Sequence, residues 1–172
     1  MEIKRTTKIN EALAAGSVCD KCGHCCSYGS GALAGNDLQW ISNFLNITGK
    51  KLKQDYLEEV ERFNTKRLRP KMIREKGKTH GRCIFLENSL CSIHPVKPTE
   101  CRIGTCGPEG EKLSIWFTLN YFVDENDPES VRQWAVYLKT HPSIPGGELE
   151  ELVPDKDRLR RMLNYSEYEV EK

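Results

Sequence analysis

The chain has 172 residues, 38% hydrophobic and 30% charged, with eight cysteines and a formal net charge of +1. That length can bury an ordinary core, so small size alone demands neither a metal nor disulfides. A near-neutral balance gives no global field for nucleic acid or a membrane surface, and no apolar run reaches the roughly 18 residues that span a bilayer.

The first residues, Met1 to Lys8, are followed by no apolar signal-peptide core, so a cytoplasmic location is expected. In that reducing compartment thiols stay available as ligands, which disfavours a disulfide knot despite the even cysteine count. Residues 1–18 read as a loose arm with a turn of helix around Glu11 to Ala15.

Cys19-Asp20-Lys21-Cys22-Gly23-His24-Cys25-Cys26 packs four thiols into eight residues. A C-x2-C turn lets two thiolates reach one ion, and Gly23 gives the backbone the freedom to fold back on them. Neighbouring residues project in different directions, so Cys25 and Cys26 are not both expected to close one mononuclear site with Cys19 and Cys22. One of them serves a second site, or bridges. The glycine-rich loop after Tyr28 has the freedom to lie close against a metal site.

A helix is predicted from Asn36 or Asp37 to Asn46, with Leu38, Ile41 and Leu45 together with Trp40 and Phe44 at helical spacing, the aromatic residues being read as core. Thr48 caps a second, whose apolar side is Leu52, Tyr56, Leu57, Val60 and Phe63. From Lys66 to Lys78 the period changes to alternation, as in an edge strand. Residues 66–82 carry eight basic residues against the single acid Glu75. Charged edges commonly prevent aggregation; the other reading is an anionic ligand or a partner protein recognised through Arg67, Arg69, Lys71 and Arg74, with nucleic acid the weaker form of it.

The second cysteine group begins with Cys83-Ile-Phe-Leu and Leu90-Cys91-Ser-Ile-His94, predicted as two strands joined by Glu87-Asn88-Ser89. An irregular segment with Pro95, Pro98 and Gly104 then carries Cys101 and Cys106 in C-x4-C spacing. Leu113 to Phe122 reads as a buried strand. Asp127 caps a helix with Pro128 at its first position and Val131, Trp134, Ala135 and Leu138 as its buried stripe. Pro145-Gly146-Gly147 is a turn, Leu159, Met162 and Leu163 mark one more amphipathic helix, and Glu167 to Lys172 is a frayed tail.

These elements make an α+β fold: one small domain over 1–172, with amphipathic helices and short strands around an irregular cysteine-rich region. Residues 19–106 form the metal-binding module and 112–165 a helical extension. Soft thiolates favour zinc or an iron–sulfur cluster over hard cations, and eight cysteines supply two four-thiolate sites. The candidate metal ligands are Cys19, Cys22, Cys25, Cys26, Cys83, Cys91, Cys101 and Cys106, and the cofactor is zinc or a 4Fe-4S cluster. The two groups are expected to meet in space, because neither has apolar neighbours dense enough to order it alone. Arg102 is a candidate cofactor-contacting residue, expected to point toward the cysteines and offset their charge. His24, His80 and His94 are spaced to replace a thiolate but are first read as structural. A Cys25 nucleophile beside His24 is the weaker reading of that run.

The run Cys19-x2-Cys22-x2-Cys25-Cys26, with Cys83-Ile-Phe-Leu, Cys91-Ser-Ile-His94, Lys97-Pro98, Cys101-Arg102 and Cys106, resembles the CxxCxxCC or YkgJ-type cysteine-cluster family. Its members are described as candidate zinc- or iron-chelating proteins. The resemblance implies that all eight cysteines belong to the metal module and that Arg102 accompanies them; His94 stands where the family commonly has tyrosine. One branch, the flagellin lysine methylases, is catalytic, iron–sulfur dependent and much longer. The favoured function is a non-catalytic structural, redox or adaptor module. The alternatives are an iron–sulfur-dependent enzyme modifying a protein lysine and an RNA- or ribosome-associated zinc protein.

Overall fold

In the computed structural model, which describes residues 2–104 and 106–165, the elements follow in chain order. They are α1 (Ile9–Ala15), α2 (His24–Tyr28), α3 (Asp37–Phe44), α4 (Gly49–Tyr56), β1 (Leu57–Arg62), β2 (Thr65–Pro70), β3 (Met72–Arg74), β4 (Gly81–Cys83), β5 (Leu86–Glu87) and β6 (Leu90–Cys91). A 3-10 turn at His94–Val96, α5 (Thr99–Ile103), α6 (Gly110–Tyr121), α7 (Pro128–Tyr137), α8 (Leu149–Leu152) and α9 (Lys156–Leu163) complete them. The fold is mixed α+β. Among the described residues the strands form two-stranded pairs, β1 with β2, β3 with β4 and β5 with β6, and no helix is long and apolar enough to cross a membrane. The tail expected to fray, Glu167 to Lys172, lies outside the described residues.

Two compact units share the chain. One gathers the N-terminal residues to Ala12, Glu61–Lys66 and the chain from Glu111 on; the other gathers Leu13–Val60 and Arg67–Gly110 and holds every cysteine. In the cysteine-bearing unit Leu33, Ile41 of α3, Leu52 of α4, Leu57, Cys83, Phe85 and Ile93 form the core. Thr48 caps α4 as predicted, its hydroxyl accepting the Lys51 N–H. The Tyr56 ring stacks on Phe85 at 5.5 Å.

The second predicted helix was expected to carry Leu57, Val60 and Phe63 on its apolar side, but the helix stops at Tyr56 and Leu57 begins β1. The cause lies at Phe63 and Asn64, both at positive φ (50° and 58°). That pair closes a two-residue hairpin turn, whose twist matches its flanking strands, and long-range pairing with β2 replaces the helix. Glu58 on β1 gains from it: its Oε1 accepts from Arg69 Nε at 3.0 Å and from Arg74 Nη2 at 3.1 Å. Lys71 Nζ donates to the Gln54 carbonyl at 2.8 Å. Arg69, Lys71 and Arg74, considered for a partner, thus have acceptors within their own unit.

Burial pushes the Glu58 carboxyl up, but hydrogen bonds from Arg74, the Met72 backbone and Arg69 outweigh it and hold the group below the ordinary 4.5. A depressed carboxyl contributes stability above its unfolded pKa and loses it as pH falls through the folded value. Glu58→Gln should therefore be less stable than wild type above pH 4.5, with the gap closing at lower pH. Urea unfolding at a series of pH values measures that gap, and a constant gap would exclude the linkage.

The other unit corrects a second expectation. Leu113 to Phe122 was expected to be a buried strand; residues 110–121 form helix α6, with Leu113, Ile115, Trp116, Phe117, Thr118 and Leu119 buried. A helix covered on nearly all sides shows no 3.6-residue period, and an apolar run this long exceeds an ordinary strand. Trp116 Nε1 donates to the Thr7 carbonyl at 3.0 Å. In α7 the predicted cap holds: Asp127 accepts the Glu129 N–H, and Pro128 opens the helix. Trp134, fully buried, donates Nε1 to the Gly147 carbonyl at 2.8 Å. Leu159 and Met162 bury the predicted face of α9.

Candidate metal centre

Lys21 (φ 52°) and Gly23 (φ 71°) both take the left-handed conformation, reversing the chain between Cys19 and α2. A Cβ at Gly23 would lie 2.6 Å from the Ser89 carbonyl oxygen, so only glycine lets the first cysteine run approach the β5–β6 turn. Asn88 and Ser89 in that turn are also at positive φ, which sets the register Leu86↔Cys91. Cys83 ends β4, paired to Met72 of β3. Helix α2 packs on β4, and Cys26 and Cys91 lie against the core that contains Cys83. The two cysteine groups meet, as their lack of separate apolar support predicts.

Cys101 comes from α5, within the segment expected to be irregular. Its Sγ accepts the Gly31 N–H at 3.2 Å, and a Cβ on Gly31 would fall 2.6 Å from that sulfur. The glycine loop therefore reaches the cysteine region as its composition suggests. Glu100 accepts the Ala32 N–H at 2.5 Å from the same loop. All eight cysteines are free thiols: Cys83 is buried, Cys19, Cys26, Cys91 and Cys101 are half-buried, and Cys22, Cys25 and Cys106 are exposed.

The thiols act on one another electrostatically. The Cys25 and Cys26 sulfurs are 3.9 Å apart. The hydrogen bond from Cys26 lowers the Cys25 thiol to about 6, with Lys97 helping, while Cys26 is pushed up by the same bond and by burial. Cys83 is raised to about 11 by burial, then by Cys91 and Cys25. Burial likewise raises Cys101, with Cys83, Glu100 and Cys91 adding to it. Cys91 is raised by burial and by Cys19 and Cys25. Cys106 is raised by burial, then by Cys22, Asp20, Cys25 and Cys19. Neighbouring thiolates thus oppose ionisation of Cys26, Cys83, Cys91, Cys101 and Cys106, and a cation among them reverses that sign.

Among the described residues no three His, Cys, Asp or Glu side chains are drawn close enough to clasp one ion. The donor set itself fits a soft metal: sulfurs from both groups share one region, with a backbone N–H already donated to one of them. Cys26, Cys83, Cys91 and Cys101 form its inner side and Cys22 and Cys106 its exposed side, Cys19 is half-buried, and the Cys25 thiolate acts on members of both.

Three of the four histidines, His24, His80 and His94, lie in the cysteine-bearing unit. His24 meets the exposed Tyr28 ring edge-on at 5.4 Å, and His80 lies 5.8 Å from that ring. The His94 imidazole is lowered by burial and by Lys97 and Lys21, and its Nε2 is buried without a hydrogen-bond partner. Arg102 sends Nη2 to Asp37 Oδ1 and to Thr99 Oγ1, each at 2.8 Å, with its guanidinium 4.9 Å over the Trp40 ring. Sequence reasoning missed Asp37, which was read as a candidate helix cap and is a fully buried carboxylate. A carboxylate at a helix start signals capping on local grounds; its partners in α5 are set only by the fold.

A family model described as a putative zinc- or iron-chelating domain matches residues 18–116, the span that carries all eight cysteines. No curated protein and no solved structure matches the chain. With that match over more than half its length, and Cys26 of the first group packed against the core that holds Cys83 of the second, the chain belongs to the CxxCxxCC family.

Proposed function

We propose that the protein is a thiolate-ligated zinc or iron–sulfur module with a structural, redox or adaptor role, whose ligands are drawn from its eight cysteines. The packing of α2 on β4, which puts Cys26 and Cys83 against one core, carries this reading. Soft sulfur donors from distant segments close loops that have little apolar surface of their own, so binding energy becomes folding energy. The inner set Cys26, Cys83, Cys91 and Cys101 makes a shielded site. Cys19, Cys22 and Cys106 complete an outer one with Cys25 or share a cluster with the inner set.

Hydrolysis fits the arrangement poorly. Metal-assisted hydrolysis needs an open coordination position and a neighbouring base, and the Glu100 carboxylate beside Cys101 is committed to the Ala32 N–H. Four thiolates on one metal also weaken its power to acidify water. Electron transfer needs neither water nor base.

Zinc, iron and acid-labile sulfide measured on anaerobically purified protein test the proposal. Two four-thiolate zinc sites give about two zinc ions per chain and no sulfide; an iron–sulfur cluster gives iron and sulfide in matching amounts. Protein that holds neither metal at above about one tenth of an equivalent, after reconstitution with each, overturns it.

A further inference from the structure

Helix α5 begins at Thr99 behind Pro98, which has no side chain able to cap it. The missing acceptor comes from 62 residues earlier: Asp37 Oδ2, at the first residue of α3, accepts the Thr99 N–H at 2.6 Å and the Ala34 N–H at 2.8 Å. The other oxygen, Oδ1, accepts from Thr99 Oγ1 at 2.9 Å and Arg102 Nη2 at 2.8 Å. The carboxylate is fully buried, and its four donors supply what burial would otherwise cost. Trp40, one turn along α3, lies under the Arg102 guanidinium.

Three of the four other residues of α5 are therefore held from outside. Thr99 and Arg102 are bound to Asp37, and Glu100 is bound to Ala32. Cys101 is left with its sulfur against the Gly31 N–H, in a gap too tight for any Cβ on residue 31. We propose that Asp37 is a positioning residue of the thiolate centre: by capping α5 and clamping Arg102 it fixes the direction of Cys101 Sγ. This rests on the thiolate reading above. Partners that orient a metal ligand typically govern affinity by 10–100-fold without touching the metal.

The test uses the full chain as purified. Asp37→Asn keeps the size of the side chain but puts an amide NH2 where one oxygen accepted N–H bonds. Thr99→Val removes the hydroxyl that donates to Oδ1 and accepts from Arg102 Nη2, and keeps the backbone N–H. Ile41→Val, a core change on the same helix, is the stability control. Alkylation of Cys101 by iodoacetamide is followed by peptide mass spectrometry, beside metal loss to a chelator. Asp37→Asn should raise both rates about tenfold or more, Thr99→Val about fivefold or more through the two hydrogen bonds its hydroxyl makes, and Ile41→Val neither.

Unchanged Cys101 alkylation in Asp37→Asn and Thr99→Val, or an equal rise in Ile41→Val, overturns the proposal. If Asp37→Asn does not fold, Thr99→Val against Ile41→Val decides in the same way. A wild-type chain that binds no metal removes the thiolate-centre reading; alkylation then decides separately whether Asp37 positions the sulfur.

Discussion

Replacing Cys101 by serine is expected to lower metal content and thermal stability together. Its sulfur sits at the inner side of the cysteine region, against the Gly31 N–H and in the electrostatic reach of Cys83 and Cys91. Loss of one of four ligands should weaken binding by about a hundredfold or more, which by mass action is about 2.7 kcal/mol of apparent stability. For a chain of this size that is roughly 5–10 °C in melting temperature. With excess chelator the two proteins should differ by about 1 kcal/mol or less, because serine replaces the thiol with little change of shape and both lack the metal. Cys22→Ser changes an exposed residue, so any stability it loses must come through the metal. Scanning calorimetry with metal analysis measures both; full metal and unchanged melting in both variants would end the ligand assignment.

Trp134→Ala should do the reverse. The indole is fully buried, stacks on Tyr137 at 4.9 Å, meets Phe63 edge-on at 5.4 Å and donates to the Gly147 carbonyl. Its removal leaves a cavity and an unpaired carbonyl, a loss of about 3–5 kcal/mol. No cysteine belongs to the unit that contains Trp134, so the folded fraction should keep its metal per chain. Urea unfolding, with metal counted on the folded fraction, separates the two effects. A drop in metal proportional to lost stability would show that the two units fold as one.

These expectations draw on two kinds of information. Local chemistry was legible in the chain: the cysteine run pointed to a metal-chelating family, Thr48 and Asp127 announced their helices, and the stripes of α7 and α9 repeat with the helical period, although Trp40 and Phe44 of α3, expected in the core, are exposed. Each of these depends on residues within a turn or two of one another, so the sequence carries it without reference to the rest of the molecule.

What depended on distant partners was not legible. Leu57 to Arg62 has helical spacing, and only its pairing with β2 through Phe63 and Asn64 makes it a strand. Leu113 to Tyr121 has strand-forming residues, and only burial on nearly every side, where helix and strand patterns look alike, lets the helix prevail. Asp37 shows most clearly where the division falls. By itself the sequence determined that a carboxylate opens α3 and that eight cysteines stand in two closely spaced groups. The tertiary structure alone decided that this carboxylate caps α5 and that α2 rests on β4, because hydrogen bonds and burial between segments some sixty residues apart leave no periodic trace in either segment.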